Sequence, residues 1–357
     1  MTSPKRLNIA LIFDSPDENW PSMDLAGEML LDQWSRSLSR SVEATAISLR
    51  IPLLARRIPR SGSKKLSLNV DRALTRYLAY PVRALMAQRR RRFFHLVDHS
   101  YSHLVHVLPA ARTGVYCHDL DAFLPVLSGR IAGSSPASQS LALVLLAGLR
   151  SARVVFHNTR HVGHELAQRG LVPSSRLVHA PLGVAREFTA AGARGPSPEG
   201  SDGLIAGLDP ALSSRLAGRT FVLHVGSGIA RKRLDVLFDV FARLRATRPR
   251  LLLVQQGAAL SPAQRAHVER LGIADSLIQP PKLSRATLAE LYRRASVVLV
   301  TSDAEGFGFP IIEALASGSV VVASDIPVLR EVGGDALIYA HAGDVATWSA
   351  RAASVLA

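Results

Sequence analysis

Short runs of apolar, often β-branched residues recur along this 357-residue chain, and between them apolar residues return every three or four positions. In the first half, LNIALIF (7–13), VEATAISL (42–49), FFHLVDH (93–99), GVYCHD (114–119), RVVFHNT (153–159) and RLVHAPLG (176–183) predict strands. MDLAGEMLLDQWSRSLSR (23–40) predicts a helix, and a second is expected to end near Arg92. LALVLLAGL (141–149) is too short to span a bilayer and reads as a buried helix. In the second half, TFVLHVGS (220–227), RLLLVQQG (250–257), SLIQP (276–280), ASVVLV (295–300) and SVVVAS (319–324) predict strands. Helices are expected over 234–246, near 262–271 and over 284–295, with one further helical segment after the last strand. Leu234, Leu237, Phe238, Phe241 and Leu244 share one face of the first of these. Strands alternating with helices predict parallel sheets covered on both faces. Residues 189–218, rich in Ala, Gly, Pro and Ser, read as a linker between Rossmann-like domains at 1–188 and 219–357.

The stretch SDAEGFGFPIIEALASG (302–318) lies between two of the predicted strands. Pro310 suits the first turn of a helix and Gly318 its C-terminal cap, which predicts strand, tight loop, short helix, strand. The glycine loop then sits at the carboxyl edge of the sheet, where open α/β sheets bind ligands. Gly306 and Gly308 leave room for backbone to approach a ligand, and free N–H groups at a helix start favour anions. Glu305 and Glu313 can both point into a cleft there, where carboxylates suit sugar or ribose hydroxyls. Pairing of a carboxylate with the helix dipole is the plainer alternative. A chance match to E-G-x-G-x-P plus the second Glu is on the order of one in several thousand.

A second constellation is HVGSGIARKRLDVL (224–237). A strand ends at Gly226, and Arg231, Lys232 and Arg233 open a helix, where cations oppose the dipole. A bound diphosphate between Arg231, Lys232 and the helix start would offset them; a solvated basic turn is the alternative. The P-loop pattern G-x-x-x-x-G-K-[ST] is absent from this stretch.

Charge adds a different signal. The formal net charge is +15, and 50–92 alone carries thirteen Lys or Arg against one acid, Asp71, a local net of +12. Such a segment attracts phosphate-rich partners, with an anionic membrane face or a lipid-phosphate acceptor favoured among them; a solvated helix face is the equal alternative. Nucleic acid is the weaker expectation, because no helix-turn-helix, zinc-finger or aromatic RNA-binding signature accompanies the charge. The single cysteine, Cys117, excludes a disulfide framework and a Cys-based zinc site and points to a reducing compartment. The opening MTSPKRLNIALIF has an apolar run too short for a signal peptide. A cytoplasmic protein with peripheral contact to the inner membrane face through 50–92 is therefore expected.

VGSGIARKRLDVL followed by PPKLSRATLAELYRRASVVLVTSDAEGFGFPIIEALASGSVVVASDIPVLREVGGDA resembles the donor half of family 4 retaining glycosyltransferases. VYCHDLDAF resembles that family's His-Asp segment, and FHNTRHVGHELAQRGLVPSSRLVHAPLGVAREF its crossing toward the interdomain linker. The resemblance runs from about residue 93 to 340. It implies the α/β GT-B fold, two Rossmann-like domains whose parallel sheets face across a cleft. It also implies a nucleotide-diphosphate sugar as donor substrate, with no separate cofactor and no metal. On matching positions, Glu305 would contact the transferred sugar, with Gly306, Phe307 and Gly308 supplying amides and Phe309 beside them. Glu313 would hold the ribose, Arg231 and Lys232 would neutralise the diphosphate next to Gly226, and His118 would reach the sugar from the opposite domain. Ser227 stands where the family often has arginine, so Arg231 and Lys232 would carry the leaving-group charge alone. DSPDENWPSM (14–23) replaces the usual glycine-rich loop. Acceptor contacts are therefore sought at Trp20 and at Asp98, His99 and Tyr101, where packing and capping are the alternative. The family's closing helices, including one that returns to the N-terminal domain, have no counterpart after Ala357, which leaves domain closure and truncation open.

Three look-alikes are set aside. DLD (119–121) imitates a metal-binding Asp-x-Asp, and His95, His99, His103 and His157, His161, His164 are spaced like helical metal ligands. Neither series carries the H-E-x-x-H pattern. Two glutamates on one loop-helix turn also do not flank a bond as a glycoside hydrolase requires. The reading is a retaining, metal-independent glycosyltransferase acting on a glycan or lipid-linked saccharide of cell-surface polysaccharide synthesis. A catalytically silent binding protein and a nucleotide-sugar epimerase of similar fold are the rivals.

Overall fold

The structure is a computed structural model that describes residues 6–18, 20–51, 64–127, 135–190 and 205–357, with 64–68 described by backbone alone. Residues 52–63 of the basic segment and 191–204 of the expected linker lie outside the described residues. The chain divides into two compact units, Met1–Gly183 and Val184–Ala357.

In the first unit, β1 (Leu7–Ile12), β2 (Val42–Ile47), β3 (Phe93–Leu96), β4 (Thr113–Cys117), β5 (Val154–His157) and β6 (Leu177–His179) form a sheet ordered β2-β1-β3-β4-β5-β6. Every pairing in it is parallel. Its helices are α1 (Pro21–Ser37), α2 (Lys64–Leu74), α3 (Tyr80–Ala87), α4 (Leu124–Leu127), α5 (Pro136–Ser151) and α6 (Arg160–Gln168). A π-helical turn, Thr75–Ala79, joins α2 to α3, and a long 3-10 segment, His99–His106, follows β3. Ser135 caps α5 by accepting the N–H of Ser138, and Asp98 caps the 3-10 segment by accepting that of Ser100. α5 lies so close to the 3-10 segment that a Cβ on Gly148 would sit 2.0 Å from the Ser102 carbonyl oxygen.

The second unit repeats the plan. β7 (Phe221–Val225), β8 (Leu252–Gln256), β9 (Leu277–Ile278), β10 (Val297–Val300), β11 (Val321–Ser324) and β12 (Ile338–Ala340) form a parallel sheet ordered β12-β11-β10-β7-β8-β9. Its helices are α7 (Pro210–Leu216), α8 (Leu234–Thr247), α9 (Pro262–Arg270), α10 (Arg285–Arg294), α11 (Phe309–Ala316), α12 (Pro327–Gly333) and α13 (Val345–Val355). The five residues expected on one face of α8 are buried, as are Val236 and Val240. That wider face arises because α8 meets the sheet on one side and α13, with its fully buried Trp348, on another.

Strand order places the key loops. From β1 the chain crosses to β2 on one side and later to β3 on the other; from β7 it crosses to β8 and later to β10. The carboxyl ends of β1 and β3, and of β7 and β10, therefore flank the switch points of the two sheets, where such sheets bind ligands.

Several expectations change. Strands end earlier than their apolar runs, because residues such as Asp98 turn away to cap the next element. Residues 210–216 of the expected linker form α7 on an Asp209 cap. The unit boundary lies at Gly183 rather than 188: Ala185 and Phe188 are buried, Phe188 with its ring edge-on to Tyr292 at 5.8 Å. After β11 come α12, β12 and α13 rather than one helical segment. α5 buries only one face, leaving Leu143 and Val144 exposed.

Candidate functional site

The second unit's switch point is built by two loops. After β7, the Gly226 N–H donates to Gln256 O (2.9 Å) and Gln255 Nε2 donates to Gly226 O (3.0 Å), fixing where the strand stops. A 3-10 turn, Ala230–Lys232, leads to Arg233, which takes a left-handed conformation (φ 48°) before α8 begins. A non-glycine residue there costs about 1–2 kcal/mol. The Arg233 guanidinium offsets it by bonding Asp235 and Asp303 at 2.9–3.2 Å. After β10, the Thr301 hydroxyl donates to Lys232 O (2.9 Å), the Asp303 N–H to Arg231 O (2.8 Å), and Arg231 Nη1 to Ala304 O (2.8 Å). These bonds stitch the two loops together.

Glu305 is the centre of the stitch. Lys232 Nζ lies 2.5 Å from its Oε1 and Arg231 Nη1 3.2 Å from its Oε2, and the Ser302 hydroxyl donates to Oε1 at 2.6 Å. Burial works to raise the carboxyl's pKa, but Lys232, Ser302 and Arg231 together hold it below its usual range. Beneath this turn, His224 is buried with Nδ1 unpartnered. Burial, and then the charge of Lys232, lower its pKa to about 3, so it is a neutral imidazole.

The glycine loop follows. Gly308 adopts φ 94° as the N-cap of α11, a conformation open to glycine, and Pro310 occupies the first turn as expected. Phe307 and Phe309 are buried and pack edge to face at 5.5 Å. Glu313, on α11, is buried and accepts the Tyr292 hydroxyl at 3.0 Å. Burial pushes its pKa up to about 7, with Tyr292 and Arg285 pulling the other way.

The structure therefore joins Arg231, Lys232, Glu305 and the glycine loop but seats Glu313 apart, against α10. It corrects the argument that cations opening a helix need a ligand: Glu305, Asp235 and Asp303 already offset them. Three side chains escaped the sequence reading. His224 sits in an apolar run and Tyr292 on an amphipathic helix, where each reads as packing, and Asp303 carries no pattern that ties it to Arg233 across the fold.

The first unit holds its own polar cluster at the carboxyl ends of β1, β3, β4 and β5. Asp98 accepts the Ser100 N–H (3.0 Å) and hydroxyl (2.5 Å) and meets His99 Nδ1 at 3.0 Å. Although burial opposes it, the His99 charge holds the Asp98 carboxyl well below its usual range. Burial likewise opposes protonation of His99, yet Asp98 and Asp119 raise its pKa well above the ordinary one. His118 is buried, with Nε2 2.7 Å from Val97 O and its ring stacked on Tyr116; burial lowers its pKa. The Tyr101 hydroxyl donates to Glu18 (3.0 Å) and accepts the Ser15 N–H (3.1 Å), with Arg76 over the ring at 4.4 Å. Asp14, buried beside Asp98, has its pKa raised well above the usual value by burial and then by that neighbour. Trp20 is 58% exposed and apart from these bonds.

The look-alikes resolve locally. Asp119 accepts the Asp121 N–H (3.0 Å) and faces His99 Nε2 at 3.5 Å. His95 lies on β3 and His157 on β5, so neither histidine series realises its helical spacing.

Two arginine- and lysine-fed carboxylate contacts at a glycine loop invite comparison with known proteins. Residues 213–357 match the family of glycosyl transferases group 1. Over 158 residues the chain is 35% identical to a D-inositol 3-phosphate glycosyltransferase of Segniliparus rotundus, covering 42% of this chain and 34% of that protein. It is 34% identical over 142 residues to an MMP alpha-(1->4)-mannosyltransferase of Mycolicibacterium hassiacum, covering 39% and 34% respectively. The matched region thus spans about a third of these relatives' own length. Among solved structures, a sucrose-phosphate synthase of Thermosynechococcus elongatus superimposes with a TM-score of 0.67 at 17% identity, covering 98% of this chain and 90% of that one. The chain has the two-domain α/β GT-B fold.

Proposed function

We propose that this chain is a retaining glycosyltransferase of family 4 type, moving a sugar from a nucleotide-diphosphate sugar to a hydroxyl acceptor. The observation that carries the reading is the convergence of Lys232 and Arg231 on Glu305 beside the glycine loop. The family match over 213–357 supports it. In this reading a donor diphosphate takes up the charge of Lys232 and Arg231, and Glu305 turns to the hydroxyls of the transferred sugar. As the sugar–phosphate bond breaks, the sugar gains oxocarbenium character and the bonding electrons pass to the diphosphate. The two cations, already in place, stabilise that developing charge. The acceptor hydroxyl attacks from the face the diphosphate leaves, and its proton passes to a diphosphate oxygen. No separate base and no metal enter these steps.

A saccharide or lipid-linked saccharide is the acceptor class in this reading, with the polar cluster around Asp98, His99 and Tyr101 as its contact region. The test is a panel of nucleoside diphosphates and nucleotide sugars, scored first by thermal stabilisation and then by nucleotide release with sugar acceptors present. Stabilisation by a donor is expected, because a ligand that binds only the folded state raises its stability. No stabilisation by any member would sink the reading. Donor binding without release or transfer would leave a sugar-nucleotide-binding protein in its place.

A further inference from the structure

A continuous helical stretch runs from Lys64 to Ala87 through α2, the π-helical turn and α3. One side faces the protein: Asp71, Thr75, Tyr80 and Ala84 are buried, and the Tyr80 hydroxyl accepts the Leu49 N–H at 3.0 Å. The other side exposes Val70, Leu74, Leu78, Val82, Leu85 and Met86, with Leu78 62% and Met86 57% exposed. A spacing of four drifts steadily around a helix of 3.6 residues per turn. The π turn closes i→i+5 bonds, holds more residues per turn and takes up the drift, so the row stays on one face. Single exposed apolar residues are ordinary, but a row along two helices marks a surface that something covers.

Charge identifies the occupant. The one acid between 50 and 92 is Asp71, and it is buried, so this face offers no anion of its own. Arg83, Arg89 and Arg90 are exposed, and none of them has a carboxylate partner among the described residues. Tyr77, part-exposed beside His103, is of the type that settles at a membrane–water boundary. A protein partner would have to meet an apolar row framed by unpaired arginines. A bilayer of anionic lipid presents both chemistries at once.

We propose that the exposed face of residues 70–90 is a membrane-docking surface. The apolar row enters the headgroup–acyl boundary, and Arg83, Arg89 and Arg90 meet lipid phosphates. This holds independently of the sugar-transfer reading, and its test reads binding alone. The full chain is co-sedimented with vesicles of phosphatidylcholine, or of phosphatidylcholine mixed with phosphatidylglycerol, at low and high salt. Binding is expected to the mixed vesicles only, and to weaken with salt. Replacing Arg83, Arg89 and Arg90 together by serine should weaken it on the order of 100-fold, since each cation near the surface adds about 1 kcal/mol. Replacing Leu74, Leu78 and Leu85 by serine should also release the protein at an unchanged melting temperature. If the triple variant misfolds, Leu78→Ser alone carries the test. Equal binding to neutral vesicles, or none to either, overturns the proposal. So does a leucine variant that binds as before, whether it melts lower, assigning the row to packing within the chain, or turns a dimer into a monomer, assigning it to a second copy.

Discussion

At the scale of single residues, the proposed reaction rests on Lys232 and Glu305, which the structure pairs. Lys232→Ala is expected to keep the fold and lose about 10²–10³ in transfer rate, since it removes one positioned charge from the leaving diphosphate; near-normal turnover of the purified variant would refute its role. Glu313 gives a pH prediction. Its folded pKa of about 7 lies above the 4.5 of an ordinary glutamate, so its burial favours the folded state less as pH rises through that window. If the Glu313 carboxylate holds a donor's ribose, that binding runs the other way and should tighten as pH rises through about 7. Tyr292 and Arg285 both favour the ionised form, and Tyr292→Phe removes one of them. Calorimetric binding of a nucleoside diphosphate between acid and alkaline pH should show the variant's midpoint moved upward, with affinity recovered at high pH. An unshifted midpoint would make Tyr292 a packing residue only. Arg233 is a third case. Arg233→Gly relieves the left-handed strain while losing part-exposed ion pairs worth about 0–1 kcal/mol, so its urea midpoint should stay near the parent's. Arg233→Ala keeps the strain and loses only the pairs, so it should be less stable than the parent by about 0–1 kcal/mol and less stable than Arg233→Gly by about 1–2 kcal/mol.

Among elements, the packing of α5 on the 3-10 segment is the most exacting contact. Ser102 Oγ donates to Leu145 O at 2.6 Å, and Gly148 admits the Ser102 carbonyl. Gly148→Ala should cost about 1–3 kcal/mol through overpacking, read as a lower urea midpoint. The sequence showed that α5 is a helix but not that one face stays exposed, because LALVLLAGL is apolar all round and its period is silent. α8 was the opposite case, its spacing naming the buried face while missing the second contact, with α13, that buries Val236 and Val240. The glycine loop was legible because Gly308 and Pro310 each fit one backbone position and little else.

At the scale of the whole molecule, the reaction type makes its own prediction. If cationic side chains alone neutralise the diphosphate, transfer should persist in EDTA; loss on chelation and recovery with Mn²⁺ or Mg²⁺ would assign that charge to a metal. Among the described residues no helix is long and apolar enough to cross a membrane.

By itself the sequence determined the alternation of strand and helix, the doubling of the Rossmann-like plan, and the loop carrying Glu305. Each of these is local: a run of β-branched residues, a helical period, or a glycine and a proline at fixed offsets specifies its structure within a few positions. Tertiary structure decided what depends on residues far apart in the chain. It placed Glu305 against Lys232 across 73 positions, set Arg233 on Asp303, and buried Glu313 against Tyr292 so that its proton is held near neutral pH. It also separated the basic segment's one acid from its exposed face. Charge and hydrophobicity are properties of the chain, but which of them meet, and in what dielectric, is fixed only when sheet order brings the carboxyl ends of distant strands together.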